Sequence, residues 1–298
     1  MASAVATLPR VRSRRRRLER ALGGRSALVG AAVLAVLVLV AVLAPVLAPY
    51  DPEQIDGTRV LAGPDLAHPF GSDQLGRDVF SRVLFAYRTS LTVAIGSVLL
   101  AMLVGVPLGL VAGYRGGWVD TVLMRPIDLL LALPALLLAI ALITVLGEGS
   151  LVALVAIAII YLPILARVVR SSTLVVRTRP YVIAARARGV SAPATMVRHV
   201  LPNAIGPGLV QATVLMGFAI QIEAALAFLG LGAQPPTPSL GLMLLDGYQV
   251  LRQAPWVDIA PGAAIALAVT SFFLIGDGLR RVYDPAGLAE ETGGAGGA

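Results

Sequence analysis

The chain has 298 residues, 57% of them apolar and only 14% charged, with 31 glycines and a mean hydropathy of +0.83, so a soluble domain of this composition would leave too much apolar surface uncovered. The Lys+Arg count of 24 is arginine throughout, which rules out ATP hydrolysis by a Walker-type loop, because that loop needs a lysine beside Ser or Thr. Zero cysteines and two histidines, His68 and His199, argue against a zinc site or an iron–sulfur cluster, and no catalytic constellation or metal site is expected.

The predicted elements run as follows. Residues 1–25 form a basic tail whose "RVRSRRRRLER" at 10–20 reads as a topology signal ahead of a span rather than as a nucleic-acid-binding segment. The stretch 26–50 carries no charge. It exceeds the ~20 residues needed to cross the hydrocarbon core and is too long for the apolar region of a cleaved signal peptide. With the turn-forming loop that follows, containing Pro52, Gly57, Pro64, Pro69 and Gly71, it makes 26–88 a first span plus an external loop.

A second span is expected at 89–114, with Gly105, Pro107, Gly109 and Gly113 near its end, where small residues allow close helix approach. After the tight turn "GYRGGWVD" a third span is expected at 119–147, carrying Asp120, Arg125 and Asp128 in its first turns. "GEGS" precedes a fourth at 151–166, and a basic segment occupies 167–204. A fifth span is expected at 205–229, then "GAQPPTPS", whose prolines cannot continue a helix, and a sixth at 259–279 closed by Arg280 and Arg281. The stretch 240–258 is too interrupted to cross a bilayer and reads as a short interfacial helix or a re-entrant piece. The expected architecture is an all-α polytopic bundle of six transmembrane helices, with a five-span core at 89–285 and a flexible tail at 286–298.

Arginine placement sets the expected orientation. Eight arginines lie between 10 and 25 and seven between 167 and 198, while the opposite loops hold Arg59, Arg77, Arg82, Arg88 and Arg252 mixed with acids. The positive-inside rule then puts both termini and the 167–204 segment in the cytoplasm.

Within that segment, "YVIAARARGVSAPATMVRHVLPN" at 181–203 reads as a docking element. Pro180 suits a first helical position, and Gly189 suits a left-handed end with Pro193 soon after, so a two-turn helix is expected at 181–188. At 100° per residue, Tyr181, Ala184, Ala185 and Arg188 share one face of small residues plus a cation, with Ile183, Ala187 and Val190 opposite. The two readings are a helix lying along the membrane surface and a plug entering a groove on a cytoplasmic partner, with Ala184 and Ala185 against that partner. His199 reads as a local hydrogen bonder ahead of a proton relay, and Pro202 and Asn203 as the start of the fifth helix.

The same stretch resembles the cytoplasmic EAA loop of ATP-binding-cassette (ABC) importer permeases, in which Glu-Ala-Ala, three residues and Gly are followed at a distance by His-x-Leu-Pro-Asn. "HPFGSDQLGRDVFSRV" at 68–83, "GYRGGWVDTVLMRPIDLLLALP" at 113–134, "EAALAFLGLGAQPPTPSLGLML" at 223–244, and "PWVDIAPG" and "GDGLRRVYDP" toward the end resemble the second permease subunit of dipeptide, oligopeptide and nickel importers. The resemblance covers 26–285 and implies a type I importer permease fold. It also implies a homologous permease partner, two cytoplasmic ATPase subunits or domains that bind the ATP and Mg, an extracytoplasmic substrate-binding protein and membrane lipid, with no cofactor in this chain. Tyr181, Ala184, Ala185, Arg188, Gly189, His199, Pro202 and Asn203 are the expected ATPase-coupling residues. Ile183 stands where the motif has Glu, a change that signals either an asymmetric coupling site or a position facing the permease's own bundle, the wheel favouring the second. Phe273 replaces the usual Asn before "GDGLR".

Glu223 lies near the outer end of the fifth span, where an ionisable group is costly. It either shapes the pathway for a peptide or serves structure by capping a helix or pairing with an arginine such as Arg77. Arg77 and Asp78 are expected to order the external loop or to meet the binding protein. Asp277 is expected to pair with Arg280 at i+3. Peptide is the expected cargo, with nickel or another small solute as alternatives. An ion-coupled secondary transporter is the rival of a different class, disfavoured by spans nearly free of central charge.

Overall fold

The computed structural model describes residues 24–283, and every regular element among them is helical. The arginine-rich stretch 10–20 and the tail 286–298 lie outside the described residues. Helix α1, Arg25–Leu47, is an apolar rod of 23 residues, about 35 Å long at 1.5 Å per residue. It leads into an irregular loop at 48–78 and then into α2, Val79–Arg115, of 37 residues, about 55 Å long.

Helix α2 starts ten residues before the expected second span, and the cause is local. Asp78 caps it, its carboxylate accepting the Ser81 amide at 2.7 Å, which satisfies one of the four orphan amides of a helix start. Arg82, which interrupts the apolar run, is turned inward and neutralised, so it does not interrupt the helix.

The expected third span is broken. Helix α3, Gly117–Leu131, and α4, Ala135–Leu146, meet at a 94° bend. Pro134 lacks an amide and pushes the residue before it out of the helical region, so the chain turns there. The pair is long and apolar enough to count as one broken span beside the five continuous ones, α1, α2, α5 (Ser150–Val176), α9 (Gly206–Phe228) and α11 (Trp256–Tyr283). That is the expected six. Helix α5 runs ten residues past the expected end of the fourth span, because Arg167 and Arg170 find acids on α3 and the charges end the apolar run without ending the helix.

Between α5 and α9 lie α6, Pro180–Ala187, then α7, Ala192–Thr195, a π-helical turn over Met196–Val200, and α8, Leu201–Ala204. Pro202 and Asn203 are therefore not the start of the fifth helix. Pro202 has no amide to return to the Arg198 carbonyl, and the backbone widens so that the Leu201 amide reaches Met196 O instead. Pro207 repeats the loss one turn later and separates α8 from α9. Helix α10, Leu240–Tyr248, is the element formed by the ambiguous 240–258 stretch. Its residues Leu240, Gly241, Leu242, Met243 and Gly247 are buried, so it is packed into the bundle rather than laid on a membrane surface.

The main core joins Leu37 and Ala41 of α1, Leu91 and Val98 of α2, Ile157 and Leu165 of α5, Ile220 of α9 and Phe272 of α11. Lipid tails are as apolar as these side chains, so close packing rather than expulsion from water holds the spans together. The α2–α5 contact depends on this. A Cβ on Gly109 would run into the Ala166 carbonyl oxygen and lie 3.0 Å from the Arg170 nitrogen. Tyr87 adds a hydrogen bond from α2 to the Ala264 carbonyl of α11 at 3.1 Å.

Candidate functional site

The candidate docking helix α6 forms where the sequence predicts it. Pro180 is its first residue, and it ends in a Schellman motif in which the Val190 amide donates to Ala185 O at 3.2 Å and the Gly189 amide to Arg186 O at 2.9 Å. Gly189 has φ +81°, the left-handed region that a side chain disfavours.

The faces of α6 differ from the expected ones. Ala185 and Val182 are both fully buried, three residues apart on one edge, and Val182 belongs to a small core with Leu110, Val169, Val176, Met196, Val200 and Ala204. Ile183 is 54% exposed and Tyr181 44%, and Ala184, Ala187 and Arg188 are exposed with them. A wheel on 181–188 alone divides small from large side chains. The actual division is set by Val182, the one branched residue that can reach the Val169–Met196 core, and it carries Ala185 inward with it. Ala185 is thus a bundle contact, and Ile183 faces away from the bundle rather than toward it. Pro202 and Asn203 are exposed, Asn203 Nδ2 donating to the His199 carbonyl at 2.8 Å. His199 is half-buried behind them.

A clasp beside this surface ties the broken span to α5. Arg170 donates Nε and Nη2 to the two carboxylate oxygens of Asp120 at 2.5 Å each, the bidentate geometry that makes guanidinium–carboxylate pairs strong. Arg167 donates to Asp128 at 2.6 and 3.1 Å. Arg177 Nη1 donates to the carbonyls of Gly113 and Tyr114 at 2.8 and 3.2 Å, closing the end of α2. The last helix carries a smaller version. Asp277 pairs with Arg281 at i+4 and 2.5 Å, not with Arg280.

At the opposite end, Arg77 and Asp78 turn into the molecule. Arg77 donates Nε to Asp73 Oδ2 at 2.6 Å and Nη2 to Asp246 Oδ2 at 3.3 Å. Gln74 Nε2 donates to the Asp246 carbonyl at 3.1 Å, so the loop grips α10 at two points. Asp78 Oδ1 lies 2.9 Å from His68 Nδ1, and the His68 ring stacks on Tyr50 with centroids 4.5 Å apart. In the same loop Asp65 accepts the amides of Ala67 and His68 at 2.9 and 2.6 Å, and the His68 amide above all holds its carboxyl below the ordinary carboxylate value.

Glu223 does not pair with Arg77, whose guanidinium is occupied as just described. It is 1% exposed, and neither carboxyl oxygen has a hydrogen-bond partner among the described residues. The hydroxyls of Ser90 and Ser239 flank it. Their oxygens accept the Leu240 and Leu242 amides at 3.3 and 3.2 Å. Glu223 therefore sits beside the amino end of α10, inside the chain.

Sequence reasoning passes over Asp73, Arg82 and Asp246. A signal was present: Asp246 is the single acid in "LGLMLLDGYQVL" at 240–251, and an isolated carboxylate in an apolar run needs a partner.

Taken together, the described residues form a helical bundle of five continuous spans and one broken span, with a short helix set between the fourth and fifth. A chain of the MetNI methionine ABC transporter in an inward-facing conformation shares this type I fold: it superimposes with a TM-score of 0.56 over 68% of this chain and 96% of that one, at 19% identity. Residues 105–286 match the family described as binding-protein-dependent transport system inner membrane component, and residues 20–64 match the N-terminal TM domain of oligopeptide transport permease C. The chain belongs to the binding-protein-dependent transport system inner membrane component family. A dipeptide transport system permease protein, DppC, of Alkalihalophilus pseudofirmus is 41% identical over 87% of this chain and 85% of its own length. A glutathione transport system permease protein, GsiD, of Pectobacterium atrosepticum is 42% identical over 94% of this chain and 96% of its own.

Proposed function

We propose that the chain is one of two related permeases forming the pathway of an ABC importer for di- and oligopeptides. Separate cytoplasmic ATPase subunits bind ATP and Mg, and an extracytoplasmic binding protein delivers the cargo. Both termini and α6 lie in the cytoplasm, and the 48–78 loop outside. The observation that carries this reading is the division of α6 into a buried edge, Val182 and Ala185, and an uncovered face running from Tyr181 through Ala184 to Arg188. A helix of two turns anchored in its own core on one side and open on the other is suited to transmit movement of a bound ATPase into the bundle. The peptide assignment draws on relatives named for a dipeptide and for glutathione. Outward Ile183, in place of the motif's Glu, puts an apolar side chain on the docking face, which suits one ATPase surface of an asymmetric pair.

The test is uptake of labelled dipeptide, glutathione and a nickel chelate by proteoliposomes holding the permease pair, the ATPases and the binding protein. Uptake of a peptide that requires ATP and binding protein supports the reading. Uptake driven by an ion gradient without ATP sinks it in favour of a secondary transporter. Orientation is checked separately: a cysteine at Ser191 should be labelled from the cytoplasm and one at Thr237 from outside.

A further inference from the structure

Arg88 is the last charged side chain of α2 before the uncharged run 89–114. Arg82, one and a half turns earlier, is buried between carboxylates. Arg88 is exposed and has no hydrogen bond or ion pair among the described residues. It lies about 10 Å along the helix from Ser81, whose hydroxyl accepts the Tyr50 amide just past the end of α1. An exposed guanidinium where the apolar run begins is suited to an anion at headgroup level.

The surface below Arg88 is an open groove of about 450 Å³ between α1 and α2. Val38, Ala41 and Val42 form one wall, and Leu91, Ile95 and Leu99 the other. Positions 88, 92, 95 and 99 share one face of α2, so the cation, a single hydroxyl at Thr92 and then purely apolar side chains follow one another down one stripe. From Arg88 to Leu99 the rise is about 16 Å, close to half of a ~30 Å hydrocarbon core. The groove thus has the polarity and length of one phospholipid, charged at one end and apolar for one leaflet.

We infer that Arg88 and the α1–α2 groove hold a phospholipid with a net negative headgroup, its phosphate on the Arg88 guanidinium and one acyl chain along Val38, Val42, Ile95 and Leu99. Arginine suits this because its planar fork binds phosphate in two places. The site rests on the membrane-spanning fold alone and stands or falls independently of what the chain transports.

The experiment uses the full chain in nanodiscs made from equal parts phosphatidylglycerol and phosphatidylcholine, extracted into mild detergent, with bound lipid counted by native mass spectrometry. Wild type should retain phosphatidylglycerol over phosphatidylcholine. Arg88→Gln should lower that retention about tenfold, the factor expected for one lost charge-assisted contact, and Arg88→Lys should restore part of it. Val42→Trp, which fills the groove and leaves the charge, should lower retention of both lipids. A photo-crosslinker at Thr92 should label lipid. Equal retention of the two lipids by wild type, unchanged retention in Arg88→Gln, or crosslinking of Thr92 to a protein carboxylate partner instead of lipid would each overturn the assignment.

Discussion

Arg82 is held between two carboxylates from distant parts of the chain, its Nε 3.6 Å from Asp73 Oδ2 and its Nη2 3.7 Å from Asp246 Oδ2, with 2% of its side chain exposed. It also donates to the Pro52 carbonyl at 3.2 Å. One side chain of α2 therefore fixes the 48–78 loop and α10 at once. Removing one member of a buried ion network leaves the others uncompensated, at a typical cost of about 3–5 kcal/mol. Arg82→Met should lower the thermal unfolding midpoint of the purified chain markedly and expose the 48–78 loop to protease. An unchanged midpoint and cleavage pattern would show that the network contributes nothing.

Asp246 makes that network pH-sensitive. Burial pushes its carboxyl above the ordinary value of 3.8, against the opposing pull of Arg82 and Arg77. The folded chain then holds this proton more tightly than the unfolded one. The group's contribution is fully present below the unfolded value and is lost as pH rises through the raised folded value. Wild type should therefore gain stability relative to Asp246→Asn as pH falls toward the ordinary carboxylate value of 3.8. Parallel stability curves for the two chains across that window would contradict this.

The two alanines of α6 should separate folding from coupling. Ala185→Trp overpacks the small core beneath the helix, at about 1–3 kcal/mol, and should lower the unfolding midpoint of the permease itself. Ala184→Trp projects outward and should leave that midpoint unchanged while reducing ATPase affinity roughly five- to 150-fold, the same energy read as binding. The measurements are thermal unfolding of each variant alone and co-purification of the ATPases. If Ala184→Trp retains its ATPases and transports normally, the outward face of α6 does not dock.

Gly109→Val should force α2 and α5 apart at the Ala166 carbonyl. Backbone carbonyls cannot rotate away as side chains do, so the expected cost is at the upper end of about 1–3 kcal/mol. The readout is the fraction of chain that survives mild detergent extraction as a monodisperse species, and wild-type recovery of Gly109→Val would show the contact to be loose.

Loss of the Arg170–Asp120 clasp should cost little, and a lysine should not replace it. The pair is part-exposed, at 34% and 17% of the side chains, so Arg170→Ala is worth only about 1 kcal/mol. Arg170→Lys should recover little, since an ammonium cannot make the two-point contact. Equal stability of the Lys variant and wild type would show the bidentate geometry to be unimportant.

The spans were legible because long uncharged runs have few other fates, and α6 was legible because Pro180 and Gly189 punctuate it. What was not legible depended on contacts distant in the chain. The start of α2 lay hidden because Arg82 reads as a loop residue until Asp73 and Asp246 are seen beside it. The end of α5 lay hidden for the same reason, with Asp120 and Asp128 supplying the partners. The break between α3 and α4 was marked by Pro134, which a hydropathy window averages away. The burial of Val182 required Met196 and Val200, residues beyond the window of any wheel drawn on 181–188.

Helix α2 is longer than a bilayer is thick, with 37 residues unbroken from the Asp78 cap to Arg115. Its first turns carry the Arg82 network, and its last carbonyls are held by Arg177, three residues before α6. Such a rod acts as a lever with both ends anchored. Tilted by about 5° around its midpoint, a 55 Å rod moves each tip by about 2.4 Å in opposite directions. Were α6 displaced at one end of α2, such a rod would carry the movement to the loop at its other end without any intervening relay of side chains.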